Sequence, residues 1–111
     1  MTIHDAGAEE PGLTVDRSPD GTLVLSGELD LATAHVLQSV LDQGTADADI
    51  TLDMSGLDFM DSTGIKLIIT AARRLEGGNR LILRSPAAPI RRVLDLVQID
   101  RVPSVKVESA E

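Results

Sequence analysis

Polar and apolar positions along this chain switch repeatedly between a two-residue and a helical period. Leu23 and Leu25 alternate with Val24 and fall on one face, so Thr22 to Ser26 reads as a strand. Leu13 to Val15 reads as a preceding edge strand. Between them, Asp20-Gly21 inside Asp16-Arg17-Ser18-Pro19-Asp20-Gly21 is the strongest hairpin signal, so these two strands should pair antiparallel. Gly27-Glu28-Leu29-Asp30 then leads out of the second strand. Val36, Leu37, Val40 and Leu41 share one helical face, predicting a helix over roughly 32–43 that is capped by Thr33 or Asp30 and stops at Gly44. Ile50, Leu52 and Met54 alternate with Asp49, Thr51 and Asp53, as in a strand.

The same alternation of elements continues to the end of the chain. Ile65, Ile68, Ile69, Ala72 and Leu75 form the apolar stripe of a second helix over about 62–75, ended by Gly77-Gly78-Asn79. Leu81-Ile82-Leu83 is a short buried strand. Pro89 suits the first turn of a third helix that buries Ile90, Val93, Leu94 and Val97. Residues 99–107 read as mostly extended, with Pro103 favouring an edge. The order β-β-α-β-α-β-α-β predicts a single α/β domain. Its sheet is mixed and mostly parallel, with an N-terminal hairpin, at least three helices and right-handed crossovers. Residues 1–12 are predicted to be a flexible acidic tail, 13–107 the folded domain, and 108–111 a short C-terminal tail. The loops carrying Asp30 and Asp61-Ser62 would share the carboxyl end of the sheet, where open α/β sheets gather ligands and partners.

The stretch from Leu52 to Ile65 carries the candidate chemistry. It reads as a buried strand, a short acidic loop and the first turn of a helix. Asp61 is its N-cap, Ser62 stands first in the helix with its hydroxyl toward solvent, and Thr63 is a second hydroxyl. Free N–H groups and the positive dipole end can accommodate a phosphate on Ser62, while Asp53, Asp58 and Asp61 oppose it. Gly64 sits where a helix former would be about 1 kcal/mol better, which points to close approach by a partner or by the neighbouring strand. Spacing alone favours a simple capping pair at Asp61-Ser62, and it leaves Asp30 between capping and contact. Met54 and Met60 read as core, and Arg73-Arg74, Arg91-Arg92 and His35 as solvated surface.

Composition narrows the classes of function. The 111 residues have one Phe, no Trp or Tyr and no Cys, so the core is aliphatic and neither disulfides nor thiolate metal sites are available. A net charge of −8 argues against general affinity for nucleic acid or anionic membranes. No apolar run approaches the roughly 20 residues of a membrane span, and the first residues lack the pattern of a signal peptide. A cytoplasmic protein is expected. A serine hydrolase would want Gly-x-Ser-x-Gly with a histidine base, and a nucleotide-binding loop would want its Gly-rich run and Lys. Neither pattern is present. No enzyme activity, cofactor or metal is expected.

Phe59-Met60-Asp61-Ser62-Thr63-Gly64, with Gly27-Glu28-Leu29-Asp30 before it and Arg91-Arg92-Val93-Leu94-Asp95-Leu96 after it, closely resembles the STAS domain over about 13–105. The similarity is greatest to the stand-alone anti-sigma factor antagonists of bacteria. The resemblance implies partner switching. The unphosphorylated protein would bind an anti-sigma factor that is also a serine kinase and so free a sigma factor. Phosphorylation would reverse this, and a PP2C-type phosphatase would reset it. It assigns the phosphate to Ser62, with Thr63 second, and makes Asp30, Asp61, Gly64, Glu28 and Thr33 its neighbours or partner-binding residues. The free protein would be a monomer. Two alternatives within the resemblance are the small STAS subunit of a lipid ABC transporter, which binds its ATPase, and a STAS component of a stress-signalling assembly. The chain departs from the family in two places. Val97-Gln98-Ile99 stands where a Gly often ends the third helix, and the residues after Pro103 leave a further C-terminal helix short or absent.

Overall fold

A computed structural model describes residues 7–10 as backbone, and 12–44 and 47–109 in full. Six strands form one sheet in sequential order: β1 (Gly7–Glu10), β2 (Leu13–Arg17), β3 (Leu23–Leu29), β4 (Ile50–Met60), β5 (Leu81–Arg84) and β6 (Val105–Glu108). β2 runs antiparallel to its neighbours β1 and β3, and β3 to β6 are parallel. The helices α1 (Ala34–Asp42), α2 (Ser62–Arg73) and α3 (Ala88–Leu96) fill the three crossovers. The α/β architecture and the antiparallel pairing across Asp20-Gly21 are as the sequence predicts.

All the crossovers step the same way across the sheet, so right-handedness puts the three helices on one face. That face receives Leu13, Val15, Leu23, Leu25, Leu52, Met54, Leu81 and Leu83, which pack with Val36, Leu37, Ile68, Ile90 and Leu94 in a single aliphatic core. The reverse face carries Thr14, Val24, Thr51, Asp53, Ile82 and Arg84, all partly exposed. Two-residue alternation in these strands therefore encodes one dry and one wet face.

Several boundaries differ from the pattern. Gly7–Glu10 pairs with β2 rather than belonging to a tail, while residues 1–6 lie outside the described residues. At the other end, β6 reaches Glu108, so the predicted tail from 108 begins later, and 110–111 lie outside the described residues. Residues 99–107 are not mostly extended: Ile99–Arg101 makes a 3-10 turn before β6. Val97, expected in the core, is 44% exposed just past the end of α3. Gln98 follows it with φ 54°, a left-handed conformation that suits glycine. Gln98 lies within Val97-Gln98-Ile99, the stretch in which the resemblance leads one to expect a Gly. Leu67 and Ala71 are buried beyond the predicted α2 stripe, because α2 packs on α1 as well as on the sheet.

The largest difference positions the site. Gly27 to Leu29 and Ser55 to Met60, read as loops, are strand. β4 carries one extra residue between its partners to Val24 and Ser26, and another between its partners to Gly27 and Glu28. Each bulge resets the alternation, so the buried residues of β4 fall at Leu52, Met54, Leu57 and Met60. A two-residue period is lost after Met54, which is why the segment looks like a loop. Gly27 enables the companion stretch of β3. Its φ is +105°, and a Cβ there would lie 2.2 Å from the Gly12 carbonyl oxygen.

Candidate functional site

β3 and β4 end side by side. Leu29 pairs with Met60, and the Asp61 N–H donates to the Leu29 carbonyl at 3.2 Å. Asp30 and Asp61 are therefore the first residues beyond two adjacent parallel strands, each leading toward a helix.

Asp61 adopts an extended conformation (φ −106°, ψ −171°) and caps α2. Its Oδ1 accepts the Thr63 N–H at 2.9 Å and the Gly64 N–H at 3.4 Å. Ser62 is the first helical residue and is exposed; its hydroxyl has no hydrogen-bond partner among the described residues. Thr63 is half-buried, facing a shallow groove between α1 and α2. Gly64 is buried. A Cβ there would lie 2.7 Å from Met60 Cγ and 2.9 Å from Leu29 Cγ. Of the two reasons foreseen for this glycine, close approach of the neighbouring strands is the one present in the fold.

The Asp30 loop is tied down in a similar way. Asp30 Oδ1 accepts the N–H groups of Ala32 at 3.0 Å and Thr33 at 3.1 Å. The Asp30 carbonyl accepts the Ala34 N–H at 2.8 Å. Thr33 is the N-cap residue of α1, but its side chain does not cap the helix. It is buried, and its hydroxyl donates to the Glu28 carbonyl at 2.7 Å while accepting the Asp30 N–H at 3.0 Å. A hydroxyl has one proton, so the 3.2 Å contact to Asp30 Oδ1 competes with the shorter bond to Glu28. Thr33 thus braces the loop from inside. Glu28 is exposed on β3, opposite Phe59.

Both carboxylates spend Oδ1 on backbone N–H groups, and neither Oδ2 has a protein partner among the described residues. Asp30 and Asp61 are held in fixed orientations with one oxygen each available to a partner. Asp30, Asp61, Glu28 and Ser62 come together at one accessible end, while Gly64 and Thr33 support it from within.

Two residues of this end were not singled out from the sequence. Leu31 is 79% exposed beside Asp30, and Phe59 is 47% exposed beside Glu28. Large apolar side chains exposed around fixed carboxylates have the composition of a protein-docking patch. The signal was legible in part, since Phe59 is the only aromatic residue of the chain and stands within the motif. Met54 and Met60 are buried, as expected. Among the described residues no group of His, Asp and Glu could hold a metal ion, and no helix is long and apolar enough to cross a membrane.

Known proteins of similar sequence and fold are found for this chain. The anti-sigma-F factor antagonist RsfB of Mycobacterium tuberculosis is 24% identical over 88 residues, covering 78% of this chain and 72% of the relative. The solved anti-sigma-factor antagonist (STAS) domain protein of Planctomyces limnophilus superposes with a TM-score of 0.66 at 20% identity, covering 87% of this chain and 90% of that one. The Bacillus cell fate determinant SpoIIAA, solved in its phosphorylated form, gives a TM-score of 0.59 at 23% identity, covering 88% of this chain and 92% of that one. The family model described as "Mlab, STAS domain" matches residues 13–107. With that match spanning both acidic loops and the start of α2, the chain belongs to the STAS domain family.

Proposed function

We propose that this protein is a non-catalytic anti-sigma factor antagonist that works by partner switching, with Ser62 as its phosphate acceptor. The observation that carries this reading is the exposed Ser62 hydroxyl at the first turn of α2, between two immobilised carboxylates and beside exposed Leu31 and Phe59. RsfB bears the antagonist's name, and SpoIIAA has a phosphorylated form. In the unphosphorylated state the patch would dock on a cytoplasmic anti-sigma factor with serine-kinase activity and so free a sigma factor. A phosphate adds about −1.5 to −2 charges at the patch. The helix start tolerates that charge, so the fold stays intact while the fitted contact is lost. A PP2C-type phosphatase would restore the binding form, and the free protein would be a monomer.

A pull-down from native lysate with phosphosite mapping tests this reading. Recovery of an anti-sigma factor by unmodified protein, with phosphate on Ser62 in the unbound pool, is the expected result. Phosphate on Thr63 alone, or no anti-sigma factor, would contradict it. A second reading draws on the same exposed Leu31 and Phe59: the small STAS subunit of a lipid ABC transporter, docked on its ATPase without a switch. Co-purification with an ATPase while Ser62 stays unmodified would favour that reading.

A further inference from the structure

Lys66 lies four residues after Ser62, on the exposed face of α2, and has no ion-pair partner among the described residues. Residues four apart on a helix are neighbours, and an anionic group N-terminal to a lysine at this spacing is the favourable order. We propose that Lys66 is the built-in counter-charge of a Ser62 phosphate, holding it along α2 toward the groove between α1 and α2. The proposal rests on the reading that Ser62 carries phosphate.

The charges around Ser62 leave the phosphate few other directions. Glu28 and Asp30 stand at the end of β3, and Asp58 and Asp61 at the end of β4. On α1, His35 is exposed and Asp42 lies at the far end of the helix. Farther along α2, Arg73 occupies the last turn. Lys66 is therefore the cation nearest in sequence to Ser62 on an otherwise acidic rim. Both fixed carboxylates have committed Oδ1 to backbone donors rather than to Lys66. Lys66 also lines the α1–α2 groove of about 190 Å³ with Ala34, Gln38, Thr63, Leu67 and Thr70. A phosphate drawn to Lys66 turns away from Asp30 and over that groove. The modified protein then differs from the unmodified one at two places, the acidic rim and the mouth of the groove.

The test places phosphoserine at position 62 of the full chain by genetic code expansion, with no kinase needed. Phosphorus-31 NMR then follows the second ionisation of the phosphate in the Lys66 protein and in Lys66→Gln and Lys66→Arg. Lys66→Gln should raise that pKa by about 0.2–0.4 unit at low salt. Lys66→Arg should restore it, and 1 M salt should shrink the difference. An unchanged pKa in Lys66→Gln, or a change that Lys66→Arg does not reverse, would overturn the proposal. Failure of Ser62 as the physiological acceptor would appear separately, as no phosphate transfer to Ser62 by the kinase.

Discussion

The Asp61 N–H donates to the Leu29 carbonyl at 3.2 Å, and this bond joins the last residue of β3 to the first residue beyond β4. It sets the Asp30 loop and the start of α2 side by side, although more than thirty residues separate them in the sequence. The face proposed for docking is thus a product of strand pairing.

Asp61→Ala removes the acceptor of the Thr63 and Gly64 N–H groups. Loss of such a cap should cost about 0.5–2 kcal/mol. Asp61→Asn keeps an acceptor and should recover most of it. Urea unfolding of the three proteins measures this, and equal midpoints would show that Asp61 does not secure the helix start.

Gly64→Ala sets two effects against each other. Helix propensity gains about 1 kcal/mol, while a new Cβ 2.7 Å from Met60 Cγ and 2.9 Å from Leu29 Cγ overpacks a buried junction at a cost of about 1–3 kcal/mol. Neither contact is with the free end of a flexible side chain, so the overpacking should prevail and Tm should fall. A raised Tm would mean that the strand ends yield easily.

Leu31 at 79% exposure and Phe59 at 47% contribute little to the core. Leu31→Ser should change stability by no more than about 0.5 kcal/mol. Combined with Phe59→Ser it should weaken anti-sigma factor binding by about 2 kcal/mol or more, as loss of central apolar anchors does. Unchanged affinity in the double variant, measured on folded protein, would move the docking face elsewhere.

At the opposite end of β3, the Asp20 carboxyl is lowered from 3.8 to about 2. The hydrogen bond from the Ser18 hydroxyl is the main cause, followed by the Thr22 N–H. The folded value lies below the unfolded one, so this hairpin's contribution is present above pH 3.8 and is lost as pH falls toward 2. Ser18→Ala should raise the Asp20 pKa toward its ordinary value in a carbon-13 NMR titration. An unchanged value would remove the Ser18 bond as its cause.

Much of this was legible in the amino-acid order. Leu23 and Leu25, the four apolar residues of α1, and the Asp20-Gly21 turn declare the sheet and helices through plain periodicity. The role of Asp61 follows from a carboxylate placed before a helical stripe. The upper half of β4 was not legible, because two bulges turn a two-residue period into spacings that look like a loop. The amino-acid order offers Thr33 or Asp30 as the cap of α1, and the Thr33 side chain does not take that role. Its actual bond to Glu28 depends on the loop folding back, which local pattern does not encode. Leu31 and Phe59 were missed because exposure is a tertiary property, and Leu67 and Ala71 because α2 meets two surfaces.

The central claim is that charge on Ser62 controls docking at a face which also includes Asp30. Isothermal titration of the purified anti-sigma factor with wild type, Ser62→Ala, Ser62→Asp and Asp30→Ala tests it most directly. Ser62→Ala should bind like the unphosphorylated protein. Ser62→Asp should bind much more weakly while melting near wild type, since a charge at the helix start changes stability by no more than about 1 kcal/mol. Asp30→Ala should lose affinity while remaining folded. Equal affinity for Ser62→Ala and Ser62→Asp would contradict control by charge, and a neutral Asp30→Ala would confine that residue to bracing its loop.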